Sequence, residues 1–487
     1  MSFPRKTLTP GGAGAEETGP LSVGPAPSPS GVSTVRPPAL SWNGTAAIAA
    51  LVVLAVLTPV GLASGEAADQ VAHAFGSRRL VSTPLADTLI RLVALAPLGE
   101  AGMRPHLLAA LLGAGAVALL LARSRMVARP GSTGAASALV GVTMLTLSRP
   151  FLDSAGVRAG SALDLCVLAA GVLLLEAVRR APARSVAGLG LAFLCGLAAG
   201  ADWPVRAALW PLAAWLTTWS LRRGERWPLL APTLFVAGAA ITLAAAAGAP
   251  LPGEGSSAVP GGGHSAGSVL HDILMPSLVA PVDFSVSREV VAWVIDDAGV
   301  LGLLAGLLGC VLLVTRAPLQ ALTLLLPWAT AVAAALAEGN IALARLFIAG
   351  SLVAPVTMAV AVFAESFGRA RAAVVLVLLV IVVVPPAMVG VGAALAQPAR
   401  RNPAAVARRL DLAFEMGALA AAPVLESQPS AQLAEQETLR WWRYGTAIGL
   451  QPAHATGARS DAIGHPPPPP APVHGPLTQA RPILVPR

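Results

Sequence analysis

Lysine is nearly missing from this 487-residue chain, with Lys6 the only one, and tyrosine occurs once. Only 12% of residues are charged, which removes the solvated polar surface that a water-soluble protein of this size requires. Cysteine is equally scarce. Cys166, Cys195 and Cys310 each sit inside an apolar run, so neither a disulfide framework nor a metal site at ligand spacing is indicated. No GxxxxGK[ST] or HExxH pattern is present, and the GxSxG match GHSAG at 263–267 sits in a Gly/Ser/Pro-rich stretch and does not stand out, which weighs against ATP-driven transport and the common hydrolase classes. The net charge of +8 is almost wholly arginine that punctuates apolar runs without forming a basic stripe, so nucleic acid is not the expected partner.

What the chain has in excess is apolar sequence, 55% of its residues, with a mean hydropathy of +0.70. Eleven runs stand out, at 44–63, 106–122, 133–147, 161–178, 185–201, 205–221, 228–248, 298–315, 318–337, 341–364 and 372–397. Bounded by polar residues and long enough to cross hydrocarbon, they predict an all-α, polytopic membrane helix bundle of about eleven spans. The first run is too long, and too far from the start, for a cleaved signal core, so it reads as a retained anchor. Residues 1–42, rich in Pro, Gly and Ser, are expected to be a disordered tail. Residues 43–397 form the membrane domain, and 398–487 a polar, loosely folded C-terminal tail carrying two short helical patterns, 403–420 and 430–444.

Charge assigns the sides. Arg123, Arg125, Arg129, Arg179, Arg180, Arg184, Arg222, Arg223, Arg226, Arg316, Arg369 and Arg371 fall in alternate short connections and, with Arg5, Lys6 and Arg36, define the cytoplasmic side and a cytoplasmic N-terminus. Arg400 and Arg401, after the last run, depart from the pattern. The opposite, outer side then holds 64–105, the turns near 150–160 and 202–205, the segment 249–297 and the turn near 338–341. The first outer loop contains an amphipathic helix at 85–96, with Leu85, Leu89, Leu92, Val93 and Ala96 on one face and Asp87 and Arg91 off it, suited to the membrane surface. Trp42, Trp203, Trp219, Trp227 and Trp293 fall near run ends, where interfacial indoles belong.

The outer side also collects the residues able to carry chemistry. In ASGEAADQVAHAF, positions 66, 69 and 73 share one face of a continuing helix, so Glu66, Asp69 and His73 converge there. A partly buried carboxylate in that place suits a general base; the alternative is a set of solvated residues at a helix end. Asp202, Asp296 and Asp297 are interfacial acids, and the last two equally suit a helix N-terminus. Arg345 has the fork geometry to hold a phosphate, or else to pair with Glu338. Asp164 and Glu176 read as interior or snorkelling residues, and His264 and His271 lack a ligand pattern.

The layout resembles the bacterial protein O-mannosyltransferase-like membrane proteins of the GT-C glycosyltransferase superfamily. The stretches that carry the resemblance are ASGE from Ala63, STPL from Ser82, the helix 85–96, RPHLLAALLGAGA from Arg104, SRPFLDSAGVRAGSALDL from Ser148 and GLAAGAD from Gly196. ARLFIAGSLVAP from Ala344 is similar to an arginine-containing region near the family's end. The resemblance implies a GT-C-like bundle in the bacterial cytoplasmic membrane that moves a hexose from a polyprenyl-phosphate donor to an acceptor at the outer face, without a cofactor. It implies Glu66 or Asp69 as base and His73, Asp202 and Arg345 as substrate-binding residues. The chain departs from the family where Ala63 replaces the loop aspartate, where the His-Pro-Pro element is reduced to Leu80, Val81 and Ser82, and where Asp202 stands in place of a histidine. Those departures keep two alternatives in view: an inactive relative acting in envelope assembly, and a lipid or solute transporter.

Overall fold

A computed structural model describes residues 42–57, 83–94, 96, 103–128, 132–180, 184–247 and 286–396. Glu66, Asp69, His73, His264, His271, residues 1–41 and the tail 398–487 lie outside the described residues. All regular structure among the described residues is helical. The elements are α1 (Trp42–Leu57), α2 (Pro84–Ala94), α3 (Met103–Val127), α4 (Ser132–Thr146), α5 (Ala159–Arg180), α6 (Arg184–Leu197), α7 (Trp203–Arg222), α8 (Ala231–Ala247), α9 (Val286–Arg316), α10 (Pro318–Ala337), α11 (Ile341–Glu365) and α12 (Arg371–Ala396). A π-helical turn, Phe151–Ala155, precedes α5, and short 3₁₀ turns precede α7, α8 and α12.

Each apolar run coincides with one of these helices, because a segment with no water to bond must satisfy its own backbone. Among the described residues, six helices are long and apolar enough to cross a membrane: α3, α5, α9, α10, α11 and α12. Shorter apolar helices lie at 44–57, 133–146, 185–200 and 231–244. The protein is therefore a multi-pass membrane protein. Its spans divide by position: 61–67% of the apolar window is buried in α3, α5 and α11, against 28–33% in α9, α10 and α12. The outer trio turns Leu301, Leu304, Leu308, Val377, Val380 and Val384 away from the protein, a leucine and valine surface that only lipid tails can solvate.

The helices pack closely because small residues sit where backbones meet. α9 packs on α11, α3 on α5 and α6 on α8. A Cβ on Gly309 would overlap the carbonyl of Pro355 in α11, and one on Gly196 would overlap that of Phe235 in α8. In lipid, where apolar side chains gain nothing by leaving the solvent, such contact is what holds helices together. Near one end of the bundle, α3, α5 and α10 are tied by polar groups. Arg123, 1% exposed, donates from Nη2 to the Leu324 carbonyl at 3.1 Å. Glu176, fully buried, accepts from Arg179 at 2.7 and 3.0 Å and from the Thr323 hydroxyl at 3.1 Å. Arg123 is thus an interior cation and not the loop residue its place in the charge alternation suggests. Trp227 likewise leaves the interface: it is buried against Gly188 and donates to Glu225 at 2.7 Å.

Two expectations about the outer side change. The eighth run is preceded by helix, since α9 begins at Val286 and is interrupted only at Gly299, whose φ of 72° and ψ of 164° no L side chain adopts without strain. Asp296 and Asp297 therefore end a helical segment instead of following a loop. α2 is the amphipathic helix expected at 85–96, but its enclosed face is Thr83, Ala86, Asp87 and Ile90, while Leu92 is exposed. The face is turned from the leucine stripe by roughly 100°, one residue's rotation. The small Ala86 fits where a leucine would not, and α2 comes to rest on α3, α5, α8 and the Ala198–Gly200 turn.

Candidate acid site

Four carboxyl groups from four elements gather around Asp202 at one end of the bundle. Asp164 is in the first turns of α5 and is fully buried. Asp202 stands before α7, half-buried, and donates its backbone N–H to Asp164 Oδ1 at 3.0 Å. Its own side chain does not cap α7, as an aspartate at that position ordinarily does. Instead its carboxyl group comes within hydrogen-bonding reach of that of Asp164 and faces Arg206, which is 5% exposed and lies over the Trp203 ring at 5.8 Å. Asp87 reaches the same group from α2, and Glu338 from the end of α10.

Burial sets the electrostatics. It pushes Asp87 up to about 7, an effect that Arg91 opposes and the charge of Asp202 reinforces. It pushes Glu338 up to about 7 as well, with Asp202 adding to the rise and Arg206 opposing it. Asp202 is also raised by burial, with the Asp164 carboxyl and Arg206 pulling the other way. Oδ1 of Asp87 and Oδ2 of Asp164 are enclosed without a hydrogen-bond partner among the described residues. Four acids against Arg206 and Arg91 cannot all ionise in such a place, so the group holds protons near neutral pH. No set of three His, Cys, Asp or Glu residues among the described residues has metal-binding geometry.

Arg345 belongs to a second grouping. It pairs with Asp297 and not with Glu338: Nε donates to Oδ2 at 2.8 Å and Nη2 to Oδ1, the bidentate arrangement of a guanidinium on a carboxylate. Asp297 thus serves a partner in α11 and not the N–H groups of a helix start. Arg149, just before the π-helical turn, and Asp153, within it, are paired at 3.3 Å and lie near enough to act electrostatically on the two. Comparison with protein-family models, curated proteins and solved structures finds no match. Function must therefore be argued from the sites themselves. Of the residues singled out in the sequence, Asp202 lies in the acid site and Arg345 in the neighbouring ion pair, while Glu66, Asp69 and His73 fall outside the described residues.

Asp87, Asp164, Arg206 and Glu338 were not expected as site residues. Asp87 had a legible signal, since positions 83, 86, 87 and 90 share a helical face as clearly as the leucines do, with alanine as its apolar member. Asp164 had a weaker one, an acid inside an apolar run. Among the described residues the apolar groove between α4 and α12, about 320 Å³ and lined by Thr133, Ala136 and Leu379 among others, opens toward the other end of the bundle and is separate from the acids.

Proposed function

We propose that this chain is a GT-C-like membrane protein of eleven spans with a cytoplasmic N-terminus, lying in a bacterial cytoplasmic membrane, that transfers a hexose from a polyprenyl-phosphate donor to an acceptor at the outer face. The observation that carries the reading is the seating of α2. The structured part of the first outer loop rests on the bundle beside the acid site, and that loop also contains Glu66 and Asp69. Either carboxylate serves as base on the acceptor hydroxyl, removing its proton as it attacks the sugar's anomeric carbon and the lipid phosphate leaves. His73 and Asp202 contact the sugar, and Arg345, its plane set by Asp297, steadies the leaving phosphate. Membranes containing Glu66→Ala or Asp69→Ala are expected to lose transfer from a radiolabelled polyprenyl-linked hexose by about 100-fold or more at one of the two positions. Full transfer by both variants overturns the catalytic assignment.

One observation favours a second reading. Asp164 is a fully buried acid inside a span, beside Asp202, which is how proton-coupled transporters place their carriers. That reading predicts uptake into sealed vesicles that Asp164→Asn abolishes, with no covalent product formed.

A further inference from the structure

α2 has eleven residues, too few for a helix to persist alone in water, so its form depends on the surface beneath it. That surface is closely fitted. Ala86 and Ile90 are fully enclosed, and Gly200 lies so near that a Cβ there would stand 3.0 Å from the Leu85 Cβ. Asp87 is enclosed with them at 8% exposure, its Oδ1 has no hydrogen-bond partner among the described residues, and Asp202 lies near enough for its charge to act on it. In that seat an ionised Asp87 bears both lost hydration and like-charge repulsion, whereas a protonated one is free of the repulsion and loses far less hydration.

We propose that α2 is a proton-operated lid over the acid site: seating it binds one proton at Asp87, and lifting it returns that proton to water. The charged and titratable groups around this carboxyl are few. Arg91 is on α2 itself; Asp164 is on α5; Asp202 and Arg206 are at the start of α7; Glu338 lies behind them at the end of α10. α3 has Arg104 and His106 at its outer end, the latter held on the Val157 carbonyl at 2.8 Å, and α8 has no titratable side chain. Arg91 lowers the cost of ionising Asp87 without cancelling it.

The sign follows from the direction of the rise. The seated form holds its proton more tightly than the lifted form, whose carboxyl titrates near 3.8, so seating is strongest below that value. It weakens as pH rises, by about tenfold per pH unit, until Asp87 ionises in the seat near 7 and the loss is complete. The lid thus opens toward neutral and alkaline pH and closes in acid. It operates on this carboxyl whether or not the site carries sugar transfer.

The test uses the full chain in lipid nanodiscs with Cys166, Cys195 and Cys310 replaced by alanine and nitroxides at Leu92→Cys and Ile241→Cys, positions exposed on α2 and α8. Electron-electron double resonance should give one short separation at about pH 5 and an added longer population at about pH 8. Asp87→Asn, and Asp87→Ser as a second neutral side chain, should keep the short separation at both, while Glu338→Gln should still respond. A distribution that ignores pH in the parent, a response that persists in both Asp87 variants, or one abolished by Glu338→Gln overturns the proposal.

Discussion

Asp297→Ala is expected to cost about 3–5 kcal/mol of stability, the loss that follows when one member of a buried ion pair is removed and the other stays behind uncompensated. The pair suits that estimate because its side chains are 6% and 22% exposed and meet in a two-pronged arrangement joining α9 to α11. Arg345→Ala should cost a similar amount. Replacing both, Asp297→Ala with Arg345→Met, should cost clearly less than the sum, since neither charge is then stranded. Reversible denaturation in mixed micelles, read by helix content, gives all three values. Strict additivity of the two single losses would show that the pair is not coupled. The same variants separate structure from transfer: if Arg345 also steadies a lipid phosphate, Arg345→Ala loses transfer beyond what Asp297→Ala loses at equal folded fraction.

The second large effect concerns a residue without a side chain. Gly309→Val should destabilise by about 3 kcal/mol, the upper part of the range for overpacking, because the obstacle is the Pro355 backbone carbonyl and no rotamer change relieves it. Gly309→Ala should also lose stability. Gly392 supplies the contrast, for nothing lies within 4 Å of a Cβ placed there. Gly392→Ala should therefore gain up to about 1 kcal/mol from helix propensity alone. Opposite signs for one substitution at two helical glycines would isolate backbone contact as the cause, whereas equal signs would refute it. Thermal unfolding in a single detergent measures both.

The two predictions rest on features of different legibility. The helices themselves could be read from the chain, because the apolar runs are set off by polar residues, glycine or proline and have no solvent with which to bond their backbone. The polar tie of α3, α5 and α10 could be read in part, since an acid at 176 within an apolar run is expected to face inward. Arg123 could not: its neighbours in sequence are those of an ordinary loop cation, and only the approach of α10 gives it the Leu324 carbonyl. The partner of Arg345 was misjudged for a related reason. Glu338 lies seven residues before it in sequence and is the natural local choice, but it ends the preceding helix, and Asp297 reaches Arg345 from α9.

By itself the sequence determined the solvent of this protein, its helical class and the approximate bounds of its apolar segments, for these depend on composition and on spacing along the chain. The tertiary structure alone decided which acids share a site, which face of α2 is enclosed and what Arg345 holds. Those outcomes depend on which helices touch and at what rotation, quantities set by small residues and backbone contacts between segments far apart in sequence, where a turn of one residue separates a solvated aspartate from a buried one.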